Sequence, residues 1–584
     1  VSPSSIVAAS AAATNFNPFI TDINTVRGQE TGYATMNPLA KDSSYTLSNG
    51  NLSYSGDVVQ GLVASTIFAS SGKYYCEYQL TTQQGDTGIG VGDERINATE
   101  DWIGEQSYQI GYLSDGRVYK GGSLIGTFES YDVSDIVRCC FDADTGKVWF
   151  AKNGVWADHG DPASGTREIE TISGGNPLTF TFRSVGSGAG TANFGQKPFK
   201  FAPPDGFQPL NNANTRPVKV ISRPDQYVGV TTYPGTGANQ QINVGLKPDL
   251  VIIKGRDGDY DFVWQDTVRG LNKTLTSNRT KEETTDDDGV LSVDVSGFVV
   301  GANTAGFQSD ELNKSGKNYV TYCFNAGGNK NTFNVDGVGY ASAAAAGLTG
   351  GDITPTGASV GTKQGFSIIT WDTASLSGTK SIDTGLTQAP EFVITKVTTT
   401  TDDWLTFHKD LSSTETFILN GNRAKLSNAA YAHTFNSDGT IGGLVVGDPN
   451  WWMSNETYVF YSWHSVPGLQ KFGSYKGNNN ADGTFVELGF RPAVLWVKRS
   501  GATGSWYALD NERDKFNNTF RTLSPNQFAQ EDVSTGASGY CDFLSNGFKA
   551  RTTDGSINAS DTYMYAAWAE APTIDLYGGG ANAR

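Results

Sequence analysis

One pattern recurs three times along this 584-residue chain with its spacing almost unchanged. Val244-Gly245-Leu246-Lys247-Pro248 precedes the apolar run Leu250-Val251-Ile252-Ile253-Lys254, and Tyr319-Val320-Thr321-Tyr322 follows much later. The same order returns as Thr384-Gly385-Leu386, Phe392-Val393-Ile394-Thr395-Lys396 and Tyr458-Val459-Phe460-Tyr461. It returns again as Leu488-Gly489-Phe490-Arg491-Pro492, Val494-Leu495-Trp496-Val497-Lys498 and Tyr563-Met564-Tyr565. The separations Leu246 to Tyr319, Leu386 to Tyr458 and Phe490 to Tyr563 are 73, 72 and 73 residues. Chance alternation does not hold register over that distance three times, so the C-terminal part is one β module used three times. A repeated surface suits display and binding better than a single catalytic centre.

Composition sets the fold class. Seventy glycines, 12% aromatic residues and only 3 methionines fit short strands joined by glycine turns and stiffened by rings. Alternation such as Lys147-Val148-Trp149-Phe150 dominates over helical periodicity, so the chain reads as all-β. A formal charge of −17 argues against nucleic acid as a partner, since phosphate binding needs a concentrated basic surface. That charge also keeps a large assembly soluble by self-repulsion. No apolar run approaches the roughly 20 residues that span a bilayer, so no membrane insertion is expected. Five cysteines (Cys76, Cys139, Cys140, Cys323 and Cys541) show no framework or metal spacing and read as packed, reduced thiols of a cytoplasmically folded chain.

The chain divides as follows. Residues 1–44 read as a lead-in or anchor segment, without an initiator Met or a signal peptide, so further sequence is expected upstream. Residues 45–210 form a first compact unit. The modules are placed at 218–328, 360–466 and 467–572, with a Gly/Ala/Thr-rich linker at 329–359 and a tail at 573–584. Alternating aromatics ending in Phe324, Trp463 and Trp568 are expected to fill sandwich cores.

In the first unit, Gly72-Lys73-Tyr74-Tyr75-Cys76-Glu77-Tyr78, Gly88-Ile89-Gly90-Val91-Gly92 and Gly111-Tyr112 with Ser114-Asp115-Gly116 come in order. Phe141-Asp142, Thr145-Gly146-Lys147-Val148-Trp149-Phe150, Asn153-Gly154-Val155-Trp156 and Ala192-Asn193-Phe194-Gly195-Gln196 follow. These motifs resemble the SPRY-domain family over about 150 residues. The resemblance implies a two-sheet antiparallel β-sandwich that binds partners through loops at one edge, without catalysis. The repeated module and the tail Asp575-Leu576-Tyr577-Gly578-Gly579 resemble segments of structural proteins of marine bacteriophages, cyanophages especially. That second resemblance implies three jelly-roll-like β-sandwich modules and a fibre or appendage subunit of a tailed phage virion.

Chemistry is sparse. His159, His408, His433 and His464 have no partner spacing for a zinc site. Gly357-Ala358-Ser359-Val360-Gly361 matches the nucleophile-elbow pattern, but strand follows it where a helix is required. Asp257, Asp259 and Asp261 start like a calcium loop, yet Phe262 and Val268 stand where Gly and Glu are needed. No metal and no cofactor is assigned. Asp448-Pro449-Asn450-Trp451-Trp452-Met453 is the better lead. Adjacent tryptophans point to both faces, and an outward indole beside Asn450 can stack on a sugar ring, although such a pair also packs between modules. Tyr108, Tyr119 and Trp156 near turns of the first unit are further candidates for binding loops or for core.

The expected function is attachment of a virion to a host-surface glycan or protein, together with other virion proteins and as a homo-oligomer, a trimer by analogy with tail fibres. A capsid decoration protein, a fibre-embedded polysaccharide depolymerase and a cellular SPRY adaptor are the alternatives.

Overall fold

The computed structural model describes residues 32–57, 61–83, 86–99, 101–212, 214–215, 220–302, 312–448, 451–533, 540–574 and 580–581. The longest strand of the first body, Lys73–Thr82, turns Tyr74, Cys76, Tyr78 and Leu80 to one face, as a period of two requires. Its sheet runs in the order Val155–Trp156, Lys147–Lys152, Val137–Asp142, Lys73–Thr82, Gly188–Asn193, Ser53–Gly56 and Thr46–Ser48. A second sheet runs Met36–Lys41, Val63–Ser65, Leu178–Arg183, Gly88–Asp93, Gln109–Leu113, Arg117–Lys120 and Ser123–Thr127. Phe141, Phe150, Phe180, Phe182 and Tyr112 from the two sheets fill one buried core, so this body is an antiparallel β-sandwich. Cys139 and Cys140 point to opposite faces of their strand and enter different clusters. All five thiols are buried and free.

One boundary is corrected here. Met36–Lys41, inside the expected lead-in, pairs with Val63–Ser65 and buries Met36, so it belongs to the sandwich.

The second body, residues 220–483 and 488 onward, repeats one topology. Its large sheets run Val228–Pro234, Asn318–Phe324, Leu250–Gly255, Phe262–Asp266; then Phe366–Asp372, Thr457–Trp463, Phe392–Val397, Leu405–His408; then Gln470–Lys476, Thr562–Ala569, Pro492–Arg499, Trp506–Asp510. The register repeats as well: Leu250 pairs Phe324, Phe392 pairs Trp463 and Val494 pairs Trp568. These sheets define three lobes.

The lobes pack on one another through equivalent positions. Phe324, Trp463 and Trp568, one from each lobe at equivalent positions, meet with centroid separations of 5.9, 5.2 and 6.1 Å. Trp264 packs on Tyr461 at 5.2 Å and on Trp496 at 6.2 Å, and all belong to one buried cluster drawn from the three lobes. Each such aromatic pair adds about 0.5–1.5 kcal/mol beyond its burial. Backbone bonds pass the contact round in one sense: Glu283 N to Thr398 O (2.9 Å), Lys425 N to Ser500 O (3.1 Å) and Glu531 N to Arg256 O (2.8 Å). Thr398, Ser500 and Arg256 stand at the same register position of their lobes. A head-to-tail contact that returns to its start closes a ring, here within one chain.

Two of the three junctions share a polar device. Asp266 pairs with Arg269 at 2.5 Å and accepts from the Tyr461 hydroxyl at 2.8 Å. Asp510 pairs with Arg513 at 2.6 Å and accepts from the Tyr322 hydroxyl at 2.9 Å. At the third junction the equivalents are His408 and Leu411, and His408 Nε2 lies 3.3 Å from the Tyr565 carbonyl oxygen.

The expected linker is also corrected. Phe333–Val335, Val338–Tyr340 and Gly357–Gly361 extend the large sheet of the second lobe, and Phe333, Leu348 and Ile353 are buried in its core. The run is rich in small residues, but these apolar anchors hold it down.

Candidate binding groove

Asn153-Gly154 makes the turn on which a groove of the sandwich is built. Asn153 sits at φ 51°, the left-handed region that Asn tolerates, and its side chain accepts from Ile136 N at 2.9 Å and donates to Asp135 Oδ1 at 2.7 Å. The chain returns as Val155–Trp156 against Ala151 and Lys152. A single 3-10 turn, Ala157–His159, follows with Asp158 and His159 at φ 52° and 54°. Consecutive left-handed residues without glycine persist only where their surroundings over-determine the backbone.

The groove has a volume of about 310 Å³, at the low end for small-molecule sites. Tyr112, Phe128 and Trp156 supply aromatic walls, Val155 an apolar lip that is 64% exposed, and Glu129, Lys152, Asp158 and His159 a polar rim. The Lys152 ammonium is fixed by Ser130 O at 2.9 Å and by Asp135 at 3.3 Å. Burial pushes the Tyr112 hydroxyl well above its ordinary range, so it stays a neutral donor, given to Glu129 O. Such a site can stack a flat apolar face and bond hydroxyl groups around it.

The other expected site residues lie elsewhere. Tyr108 is half-buried with the Arg95 guanidinium 4.5 Å over its ring. Tyr119 is half-buried, edge-on to Trp102 at 5.1 Å, and accepts from Arg117 Nη1 at 2.7 Å. Asn450 lies outside the described residues. Trp452 corrects the sugar-stacking expectation: it is buried in the second lobe against Trp371 at 5.7 Å and Tyr458 at 5.4 Å. Trp451 is half-buried on Tyr431 at 4.8 Å. The space beside the pair, lined by Thr395, Lys396, Asp402 and Asp403 among others, is about 10 Å³, room for a water and not for a ring. Lys396 in that wall is pushed down to about 8 by burial, and it donates to Thr280 O at 3.2 Å.

Ser359 lies in the middle of the strand Gly357–Gly361 and donates to Gly328 O at 2.9 Å, so the elbow geometry is absent there. Asp257 accepts from Asn318, Asp259 from Gln530 N, and Asp261 pairs with Arg279. Among the described residues no group of three or more His, Cys, Asp or Glu is placed to hold a metal ion.

Phe128, Glu129 and Lys152 were missed as groove residues. Only the Asn153-Gly154 turn and exposed Val155 signalled the place, because the walls come from separate stretches of sequence.

A family model described as "Domain of unknown function (DUF7483)" matches residues 223–572. The E3 ubiquitin-protein ligase RKP of Arabidopsis thaliana is 36% identical over 108 residues, which is 18% of this chain and 8% of that protein's length. Similar solved structures include the TRIM65 PSpry domain, at 15% identity and a TM-score of 0.22 over 28% of this chain and 89% of that one. They also include the SPRY domain of human HERC1, at 18% identity and a TM-score of 0.23 over 28% of this chain and 99% of that one.

Proposed function

The chain belongs to that family of unknown function, and we propose that it is a display protein of a phage virion appendage that attaches to host-surface glycan. The observation that carries this reading is the groove at Trp156: aromatic walls and a polar rim on a rigid sandwich, which is how a protein holds a sugar ring. The phage resemblance of the repeats supports the setting. The three-lobed body supplies a stiff second unit with its polar pairs buried at the lobe junctions. Weak contacts of this kind gain strength when copies of the chain are arrayed on a particle.

The test is binding of the labelled full chain to intact candidate host cells and to a panel of their surface polysaccharides. Binding that is lost in Trp156→Ala supports the reading. Binding unchanged in that variant, or none to any polysaccharide, overturns it. Release of oligosaccharides during the incubation would instead identify a depolymerase.

A further inference from the structure

Two carboxylates on the rim of the groove at Trp156 are left open. Glu129 follows Phe128 on the wall, and its backbone carbonyl is held by the buried Tyr112 hydroxyl. Asp158 stands in the single turn after Trp156, which Gly160 N closes on Ala157 O at 3.0 Å. Both side chains line the groove and are exposed, and among the described residues neither carboxylate makes a hydrogen bond or an ion pair. Lys152 on the same rim is already bound to Asp135 at 3.3 Å and to Ser130 O at 2.9 Å, so its ammonium answers neither of them.

The walls beside these carboxylates are of the kind that attracts a cation. Tyr112, Phe128 and Trp156 all line the groove, and the π-system of each ring is negative on its face. Arg138 lies 4.4 Å from the Trp156 ring, but it does not line the groove and it stands opposite Glu77 on the neighbouring strand. It therefore backs the indole without setting an unbalanced charge in the site. Aromatic walls with two open carboxylates at their rim suit a positive charge carried on an apolar frame.

We propose that the groove takes a positively charged amino sugar, with its ring against Trp156 and its ammonium on the carboxylates of Glu129 and Asp158. This rests on the glycan-attachment reading and names its ligand class. A pyranose ring supplies the flat apolar face, and an ammonium in place of one hydroxyl supplies the charge. A groove of about 310 Å³ fits one or two rings better than an extended peptide. The formal charge of −17 draws cationic ligands toward the chain and repels acidic ones.

The test is calorimetric titration of the full chain with di- and trisaccharides of glucosamine, with the N-acetylated sugars of the same length, and with short Lys peptides, at a pH that keeps the amine protonated. The amines are expected to bind about tenfold or more tightly than their N-acetylated partners, since acetylation removes a charge-assisted pair. Glu129→Gln with Asp158→Asn should bring that ratio to about twofold or less, with a thermal melt confirming the fold, and added salt should shrink it in the unaltered chain. The amine comparison needs no variant, so misfolding cannot hide the answer. Equal affinity for amine and N-acetylated sugar, Lys peptides that bind as tightly as the amines, or a ratio that survives the double substitution overturns the proposal. If N-acetylated sugars bind in a Trp156-dependent manner and the amines gain nothing, the groove reading stands and this one fails. If no sugar binds, both fail.

Discussion

The Tyr322 hydroxyl donates to Asp510 Oδ2 at 2.9 Å across 188 positions of sequence, joining the first lobe to the third. Arg513 Nε donates to the same oxygen at 2.6 Å, and both charged side chains are fully buried. Removing one partner strands a buried charge. Asp510→Ala is expected to destabilise the second body by about 3–5 kcal/mol, and Tyr322→Phe by about 1.5–3 kcal/mol, in urea unfolding. A loss below about 0.5 kcal/mol for Asp510→Ala contradicts the assigned role.

The third junction breaks the pattern, and the break is testable. Asp266 and Asp510 have His408 as their equivalent, Arg269 and Arg513 have Leu411, and Tyr322 and Tyr461 have Ala566. His408→Asp alone places a carboxylate where neither Arg nor Tyr waits, and it should cost about 3 kcal/mol or more. His408→Asp with Leu411→Arg and Ala566→Tyr should recover part of that loss. No recovery means that the three junctions are not interchangeable.

Acid should destabilise the three-lobed body through the histidines of its second lobe. Burial holds His408, His433 and His464 below the ordinary imidazole range, and all three lie in that lobe. Each folded pKa is below the unfolded value of about 6.5, so the unfolded chain binds more protons as pH falls. The contribution of these histidines is therefore whole above about pH 6.5 and declines below it. Chemical unfolding at pH 7.5 and 5.5 should show a loss that shrinks in His408→Asn. A flat response over that range contradicts the sign worked out here.

The neighbouring tryptophans should behave differently. Trp452 is buried among rings, so Trp452→Ala should cost about 3–5 kcal/mol in thermal unfolding. Trp451, half-buried on Tyr431, should cost much less. Equal losses contradict the assigned packing.

The repeat was legible because register survives divergence: Tyr319, Tyr458 and Tyr563 face Gly255, Val397 and Arg499, the same position on equivalent strands. Ring closure was not legible. It depends on contacts such as Tyr461 to Asp266, 195 positions apart, that leave no period in the sequence. Substitution hid it further, since Ile252, Ile394 and Trp496 oppose Trp264, Thr406 and Ala508, so bulk moves between strands while the core stays filled. Small residues disguised Phe333–Val335 as linker. The Trp pair misled because strand alternation fails in a loop.

The central claim is that three lobes share one core and stand or fall together. Hydrogen exchange on the full chain carrying Trp568→Ala tests it most directly, read at the amides of Leu250–Gly255, Phe392–Val397 and Pro492–Arg499. Protection falling in all three strands is the predicted result; protection lost in Pro492–Arg499 alone contradicts the account.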